Sequence, residues 1–249
     1  MNNKYNTNEI EKYFSTNRIK WDQFYSSEKK IIEKLNITKD TTILDVGCGC
    51  GGLGLALKEQ FSNINYTGVE INDKAAKTAM KMNNEAVFYN GDILHLTTTE
   101  LKNKTYDLVF SLSCIDWNIE FEKNLNSIWQ HVKPGGKLMA TFRITEKETI
   151  NDIKRSYQFI NYDNIKEGEI ATYVVININD LLQALKNLNP LSINAYGYWG
   201  KPSLTAVTPF DELCFTALYI EKRTTESNNL KITEKLELPL EIINSINNV

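Results

Sequence analysis

The stretch TILDVGCGCGGLG, residues 42–54, decides the fold of this 249-residue chain. Residues 43–46 form an apolar run that is too short for a helix and rich in β-branched side chains, which predicts a buried strand. Residues 53–61 are apolar and compatible with a helix. Four glycines lie between these two segments: Gly47, Gly49, Gly51 and Gly52. The stretch therefore predicts a strand, a turn that a ligand can approach closely, and a helix whose N-terminal N–H groups face that ligand.

The residues of this turn are compatible with more than one kind of ligand. Gly47, Gly49 and Gly52 have the G-x-G-x-x-G spacing of dinucleotide sites, and Glu70 lies at the end of the next predicted strand. Asp45 argues for a different ligand, because its carboxylate would repel a pyrophosphate and attract a molecule with an ammonium and a sulfonium group. A structural turn in an ordinary α/β protein is the remaining alternative.

Two strings in the chain resemble those of a known family. LDVGCGCG, at residues 44–51, resembles the first motif, h-[DE]-h-G-x-G-x-G, of class I S-adenosylmethionine-dependent methyltransferases. HVKPGGKLMATF, at residues 131–142, resembles the L-K-P-G-G turn before strand five of that family. The resemblance implies a three-layer, Rossmann-like α/β fold with bound S-adenosylmethionine. The implied seven-stranded sheet has the order 3-2-1-4-5-7-6 with strand 7 antiparallel, preceded by N-terminal helices and carrying an insertion after strand 5.

The cofactor residues are expected at the carboxyl ends of the first four strands. A carboxylate at Glu70 can accept two hydrogen bonds from a ribose diol. Asp92, in the turn at residues 90–93, matches the acid that the family places beside the adenine amine, although a plain N-G-D turn explains it as well. The predicted cofactor-binding residues are Asp45, Gly47, Cys48, Gly49, Glu70, Ile71, Asp92, Ile93 and Ser111.

The segment after the fourth predicted strand, residues 111–118, should border both cofactor and methyl acceptor. It lacks the [DNS]-P-P-[YFW] motif of many methyltransferases that act on bases, which argues against adenine or glutamine N-methylation. The in-line displacement that the resemblance implies depends on alignment, worth on the order of 7–11 kcal/mol, so a general base is optional. Structural roles explain the candidate side chains about as well as functional ones. The candidates are Asp116 and Tyr25 for catalysis, and Trp21, Trp117, Arg143 and Tyr198 for substrate binding.

The chain is predicted to contain one domain with additions at both ends. Aromatic residues recur at helical spacing over residues 9–25 and predict one helix with an aromatic face, followed by a second helix at residues 28–35. The predicted parts are N-terminal helices that cap the cofactor site at 1–36, a methyltransferase domain at 37–222 with a lid-like insertion at 145–175, and a tail at 223–249 that docks on the domain or joins a partner subunit.

Composition argues against several classes of protein. The net charge is −3 and the basic residues are scattered, so nucleic acid is not favoured as a partner. The polar N-terminal stretch is unlike a signal peptide, and no run approaches about 18 apolar residues, which predicts a soluble cytoplasmic protein without a membrane partner. Four cysteines without C-x-x-C spacing and two histidines predict no metal site.

The sequence therefore predicts a methyltransferase that transfers a methyl group from S-adenosylmethionine to O or N of a small-molecule metabolite, as a monomer or homodimer. A protein or RNA methyltransferase is the alternative for the acceptor. An NAD-dependent oxidoreductase and a non-catalytic cofactor-binding module are alternatives of a different class. Asp45 and the KPGG turn argue against the oxidoreductase, and the three acids Asp45, Glu70 and Asp92 argue against a module without turnover.

Overall fold

In the computed structural model, residues 4–61, 64–161 and 163–246 are described, and they form a sheet with helices on both faces. The strands are β1 (Thr42–Val46), β2 (Asn65–Glu70), β3 (Val87–Asn90), β4 (Tyr106–Ser111), β5 (Val132–Thr145), β6 (Tyr157–Phe159), β7 (Ile170–Thr172), β8 (Ile176–Asn177), β9 (Ser192–Gly200), β10 (Ala206–Val207), β11 (Leu213–Glu221) and β12 (Thr233–Glu237). The α-helices are α1 (Glu9–Phe14), α2 (Ser26–Ile32), α3 (Gly52–Phe61), α4 (Asp73–Met82), α5 (Ile93–Leu96), α6 (Phe121–Trp129), α7 (Ile178–Asn187) and α8 (Leu240–Asn244).

The main sheet has the strand order β12-β9-β11-β5-β4-β1-β2-β3. Strands β1 to β5 pair in parallel, whereas β11 is antiparallel to both β5 and β9. Because β9 and β11 are the sixth and seventh strands of the core, the predicted order 3-2-1-4-5-7-6 with an antiparallel seventh strand is confirmed. Strand β12, from the C-terminal tail, extends the sheet by pairing in parallel with β9.

The central strand β1 separates two hydrophobic cores. Leu44 packs with apolar residues of α5, α6 and α7 on one face, and Ile43 packs with residues of α2 and α3 on the other. Successive side chains of a strand point to opposite faces, so this short run places apolar groups in both cores. A parallel strand that is covered on both faces is expected to be apolar throughout, as β1 is apart from Thr42 and Asp45.

The prediction of one continuous helix over residues 9–25 is wrong. Helix α1 ends at Phe14, Arg18 has a positive φ of 59°, and a short 3-10 helix occupies Trp21–Gln23. The hydroxyls of Ser15 and Thr16 donate to backbone carbonyls of α1, which competes with continuation of the helix. The Arg18 side chain turns inward to the buried carboxylate of Glu28. Helical spacing alone does not detect such a tertiary contact.

Two other regions differ from the expected elements. The KPGG turn was expected to precede the fifth strand, but β5 includes it, with a shift in register between the pairs formed by Tyr106 and Leu108 on β4. The expected insertion contributes β6 and β7 to a small three-stranded sheet with β10. Residues 1–3, 162 and 247–249, at the ends of the predicted N- and C-terminal parts and within the predicted insertion, lie outside the described residues.

Candidate active site

A pocket of about 190 Å³ opens at the carboxyl edge of β1, β2 and β4. The turns after these strands form its floor, as expected for a doubly wound sheet. Eight of the nine predicted cofactor residues line it: Asp45, Gly47, Cys48, Gly49, Glu70, Ile71, Asp92 and Ile93. Ser111 does not; it is buried at the end of β4 beside the Cys114 thiol.

The glycine turn brings the backbone into close contact with neighbouring segments. Gly47 has a φ of 77°, and a Cβ atom at this position would lie 2.5 Å from Sγ of Cys114. A Cβ atom at Gly52 would lie 2.1 Å from the carbonyl oxygen of Arg18. Both distances are shorter than any side chain tolerates, so these two positions require glycine.

Glu70 has both carboxylate oxygens held by backbone amides. The N–H of Gly49 donates to Oε2 at 2.8 Å, and the N–H of Asn72 donates to Oε1 at 2.7 Å. The side chain is buried, and this burial raises the pKa of Glu70 to about 7, although both amide bonds lower it. Each oxygen keeps a lone pair for another donor, so this carboxylate can accept hydrogen bonds from a diol in the pocket.

Asp45 lies at the end of β1 and is also buried. Its Oδ2 accepts a hydrogen bond of 2.5 Å from the hydroxyl of Tyr66 on β2. Burial raises the pKa of Asp45 to about 7, and the Tyr66 bond and the Arg18 guanidinium lower it. The pocket therefore contains two buried carboxyl groups that ionise near neutral pH and that a cationic ligand would favour in the ionised form.

Asp92 lines the pocket and also has a structural role. Its Oδ1 accepts the N–H of Leu94 at 3.0 Å and so caps the N-terminus of α5. Ile71 and Ile93 add apolar surface to the same part of the pocket. This combination of one carboxylate and two apolar side chains suits a flat, nitrogen-containing ring.

A second polar cluster lies beyond the end of β4. Nε of Arg143 is 3.1 Å from Oδ2 of Asp116, and the guanidinium lies over the rings of Trp117 at 4.8 Å and Tyr173 at 3.8 Å. Burial raises the pKa of Asp116, whereas Arg143 lowers it. Within the described part of the chain, Oδ1 of Asp116 and Nε1 of Trp117 are buried and have no hydrogen-bond partner. Trp117 lines the pocket, and Asp116 and Arg143 lie behind it.

The other predicted side chains lie outside the pocket lining. The Trp21 ring packs edge-on against Phe61 at the end of α3. Tyr25 is 55% exposed and packs against the Arg18 guanidinium. Tyr198 lies in β9, with its ring 6.2 Å from that of Phe215.

Sequence reasoning missed two groups of lining residues. Tyr5, Phe14 and Asn17 reach the pocket from the N-terminal segment, and Gln158 and Ile160 reach it from the hairpin of β6 and β7. None of these residues belongs to a recognisable motif. The sequence pointed only to the two regions that contain them, the predicted cap at residues 1–36 and the lid-like insertion at residues 145–175.

Over residues 4–61, 64–161 and 163–246, no helix is long and apolar enough to cross a membrane. In the same part of the chain, no three His, Cys, Asp or Glu side chains are arranged to hold a metal ion.

Comparison with known proteins identifies the family of this chain. A family model described as a methyltransferase domain matches residues 37–192. The chain is 27% identical over 181 residues to phosphoethanolamine N-methyltransferase of Plasmodium falciparum, covering 70% of this chain and 63% of the relative. It is 32% identical over 198 residues to ubiquinone biosynthesis O-methyltransferase of Rickettsia typhi, covering 69% of this chain and 79% of the relative.

Other relatives differ in substrate. The chain is 26% identical over 163 residues to the 18S rRNA (guanine(1575)-N(7))-methyltransferase of Saccharomyces cerevisiae, covering 61% of this chain and 58% of that protein.

The structure of phosphoethanolamine N-methyltransferase 2 of Haemonchus contortus in complex with S-adenosyl-L-methionine has the same fold, with a TM-score of 0.61 and 15% identity. The match covers 87% of this chain and 56% of that one. The chain therefore belongs to the class I S-adenosylmethionine-dependent methyltransferases.

Proposed function

We propose that this chain is an enzyme that transfers a methyl group from S-adenosylmethionine to an O or N atom of a small molecule. One observation carries the proposal. One pocket is lined by the three acids Asp45, Glu70 and Asp92, by Trp117 and by residues of the N-terminal segment. Cofactor and acceptor can meet there away from bulk water.

The three acids have different partners in the proposed complex. Glu70 accepts hydrogen bonds from the ribose hydroxyls, because both of its oxygens are already oriented by backbone amides. Asp45 faces the ammonium group of the methionine moiety. Asp92 accepts from the adenine amine, with Ile71 and Ile93 against the ring. Cys48 and the neighbouring glycines contribute backbone close to the ligand, and Ser111 supports this floor from behind.

The chemistry that we propose requires little from ionisable side chains. S-adenosylmethionine, when bound, supplies a methyl group on a positively charged sulfur. The chain aligns the acceptor with that methyl group and excludes water, and alignment of this kind is worth on the order of 7–11 kcal/mol. Asp116 stays a prediction for the group that orients or deprotonates the acceptor: its Oδ1 has no partner in the described residues, but the side chain lies behind Trp117, outside the pocket lining.

The remaining predicted residues receive different support. Trp117 lines the pocket, and Arg143 holds Asp116 from behind, so both suit the acceptor side. Tyr25, Trp21 and Tyr198 stay predictions, because their contacts in the structure are with other side chains outside the pocket lining.

An RNA acceptor is the second candidate, and the yeast rRNA relative favours it. The net charge of −3 argues against it, since proteins that bind nucleic acid usually present a basic surface. A pocket lined by the N-terminal segment also suits an acceptor that is small enough to enter it completely.

The proposal is tested in two steps on the purified chain. Calorimetry with S-adenosylhomocysteine should show binding, and Glu70→Ala should weaken it by about 1.5–3 kcal/mol because bonds to a charged acceptor are lost. Glu122→Ala, at an exposed position of α6, is the control and should leave binding unchanged. Wild-type protein with labelled S-adenosylmethionine should then label a product from a metabolite extract and not from total RNA. Absence of cofactor binding would refute the proposal, and labelled RNA alone would establish the second candidate.

A further inference from the structure

Residues 4–8, here called the strap, cross the carboxyl edge of the sheet before α1 begins. Both ends of the strap contact the N-terminal part of α4. Nζ of Lys4 is 2.9 Å from both carboxylate oxygens of Asp73, and the side-chain amide of Asn72 donates to the carbonyl of Tyr5 at 3.1 Å. Nζ of Lys74 donates to the side chain of Asn8.

The middle of the strap, at Asn6 and Thr7, contacts the side chain of Glu169. Oε2 of Glu169 accepts the backbone N–H groups of Asn6 at 3.0 Å and Thr7 at 2.9 Å, and Oε1 accepts the Asn6 N–H at 3.2 Å. Glu169 directly precedes β7, and its carbonyl accepts the N–H of Ile160 at 2.8 Å. Because Ile160 lines the pocket, Glu169 joins the strap to the hairpin that forms one pocket wall.

Between these two ends, the side chain of Tyr5 enters the pocket. Burial raises the pKa of the Tyr5 phenol, the groups Cys114, Glu169 and Glu70 raise it further, and Arg143 lowers it. These neighbours come from the ends of several strands, so the phenol lies where the proposed cofactor and acceptor sites meet.

The strap is also connected to the proposed ribose site. The backbone N–H of Asn72 donates to Glu70, and the side chain of the same residue donates to the carbonyl of Tyr5. A cofactor that occupies this site is therefore adjacent to the strap, whose Tyr5 lines the same pocket.

The contacts that hold the strap differ in strength. The Lys4 and Asp73 side chains are 52% and 53% exposed, and an exposed ion pair contributes little. Glu169 instead accepts main-chain N–H groups through a charged, partly buried carboxylate, which makes stronger hydrogen bonds. We therefore expect opening of the strap to require release of Asn6 and Thr7 from Glu169.

We propose that Glu169 is a positioning residue that holds the strap, and through it Tyr5, over the pocket, so that it sets how long the cofactor stays bound. The inference rests on the proposed function, because the ligand adjacent to the strap is the proposed cofactor. It assigns to Glu169 no contact with the acceptor or the reacting atoms.

The test measures the dissociation rate of S-adenosylhomocysteine by stopped-flow tryptophan fluorescence. Glu169→Ala should raise this rate by about tenfold, since changes within one binding site act mainly on dissociation. Glu169→Gln should have a smaller effect, because its amide oxygen can still accept one N–H. Glu167→Ala removes an exposed acid from the same loop and should leave the rate unchanged. Equal melting temperatures of the variants would show that they are folded.

A double-mutant comparison separates positioning from general stability. In a Tyr5→Ala background, Glu169→Ala should no longer change the dissociation rate, because the side chain that Glu169 holds in place is absent. If wild-type protein binds S-adenosylhomocysteine but Glu169→Ala and Glu169→Gln dissociate at the wild-type rate, the inference is wrong while the proposed function stands. An undiminished effect of Glu169→Ala in the Tyr5→Ala background would equally overturn it. If wild-type protein does not bind the ligand, the proposed function itself fails.

Discussion

Glu70 and Asp116 are both buried carboxylates near the carboxyl edge of the sheet, but different kinds of partner hold them. Glu70 accepts two backbone amides, one from the glycine turn after β1 and one from the residue two positions further along the chain. Asp116 is paired with one side chain, Arg143 of β5, which is itself stacked on Tyr173. The first arrangement follows from the path of the backbone, whereas the second needs side chains from separate parts of the fold.

This difference has a consequence for how each region can change. Backbone amides remain when side chains are substituted, so the Glu70 region tolerates variation around a fixed turn. The Asp116 region depends on the identity of each partner, because loss of one leaves a charge buried without compensation. A fixed cofactor half and a variable acceptor half are what a family with one cofactor and many acceptors requires.

The largest effect is expected on the Asp116 side. Arg143→Met should lower the free energy of unfolding by about 3–5 kcal/mol, because it leaves the Asp116 carboxylate buried and unpaired. The loss should be smaller at pH 5 than at pH 8, since protonation of Asp116 removes the unpaired charge. Urea unfolding at pH 5 and at pH 8 measures this loss in the free energy of unfolding.

The double variant Arg143→Met with Asp116→Asn is the control, and it should recover part of the loss. A single variant as stable as the wild type would show that the ion pair contributes nothing and that the two regions do not differ in the way described.

A smaller effect is expected from the glycine turn. Gly47→Ala should weaken binding of S-adenosylhomocysteine by about 100-fold, because the new methyl group overlaps Sγ of Cys114 and the positive φ adds strain of about 1–3 kcal/mol. Gly168→Ala is a matched control: its φ is also positive, at 100°, but no atom lies within 4 Å of the added Cβ. Calorimetry on both variants decides between overlap at the pocket and backbone strain alone. Equal affinities would contradict the role given to the turn.

The smallest effect concerns the pH dependence of cofactor binding. The pKa values of Glu70 and Asp45 are raised to about 7 by burial, and the proposed contacts favour their ionised forms. Affinity for S-adenosylhomocysteine should therefore rise between pH 6 and pH 8, by about tenfold for each group that ionises on binding. Glu70→Gln should remove one of these two contributions, whereas the exposed Glu122→Gln should keep both.

The same raised pKa values determine how the stability of the unliganded protein changes with pH. Because the folded-state pKa lies above the unfolded one, the stabilising contribution of each group is complete below about pH 4 and is lost as the pH rises through about 7. The two carboxyl groups thus contribute least to the stability of the unliganded protein at the pH where cofactor binding should be tightest. A flat affinity profile with an unchanged melting temperature would contradict both statements.

Most of the sheet was predictable because its signals are local. The run before Gly47 is apolar and β-branched, and the main chain must turn where the glycines follow. Eight of the nine predicted cofactor residues line the pocket for the same reason: each lies at a strand end, and the ends of parallel strands meet at one edge. The helix over residues 9–25 was mispredicted because the contact of Arg18 with Glu28 overrides the helical spacing.

The amino-acid sequence by itself determined the first strand, the glycine turn and the acids at the strand ends, since these depend on residues adjacent in the chain, while the strand order was expected only from the family resemblance. Only the tertiary structure decided that Tyr5 enters the pocket, that Glu169 accepts the amides of Asn6 and Thr7, and that Arg143 stacks on Tyr173. These contacts join residues far apart in the chain that share no motif. Their energy comes from burial and charge pairing, which exist only once the chain has folded.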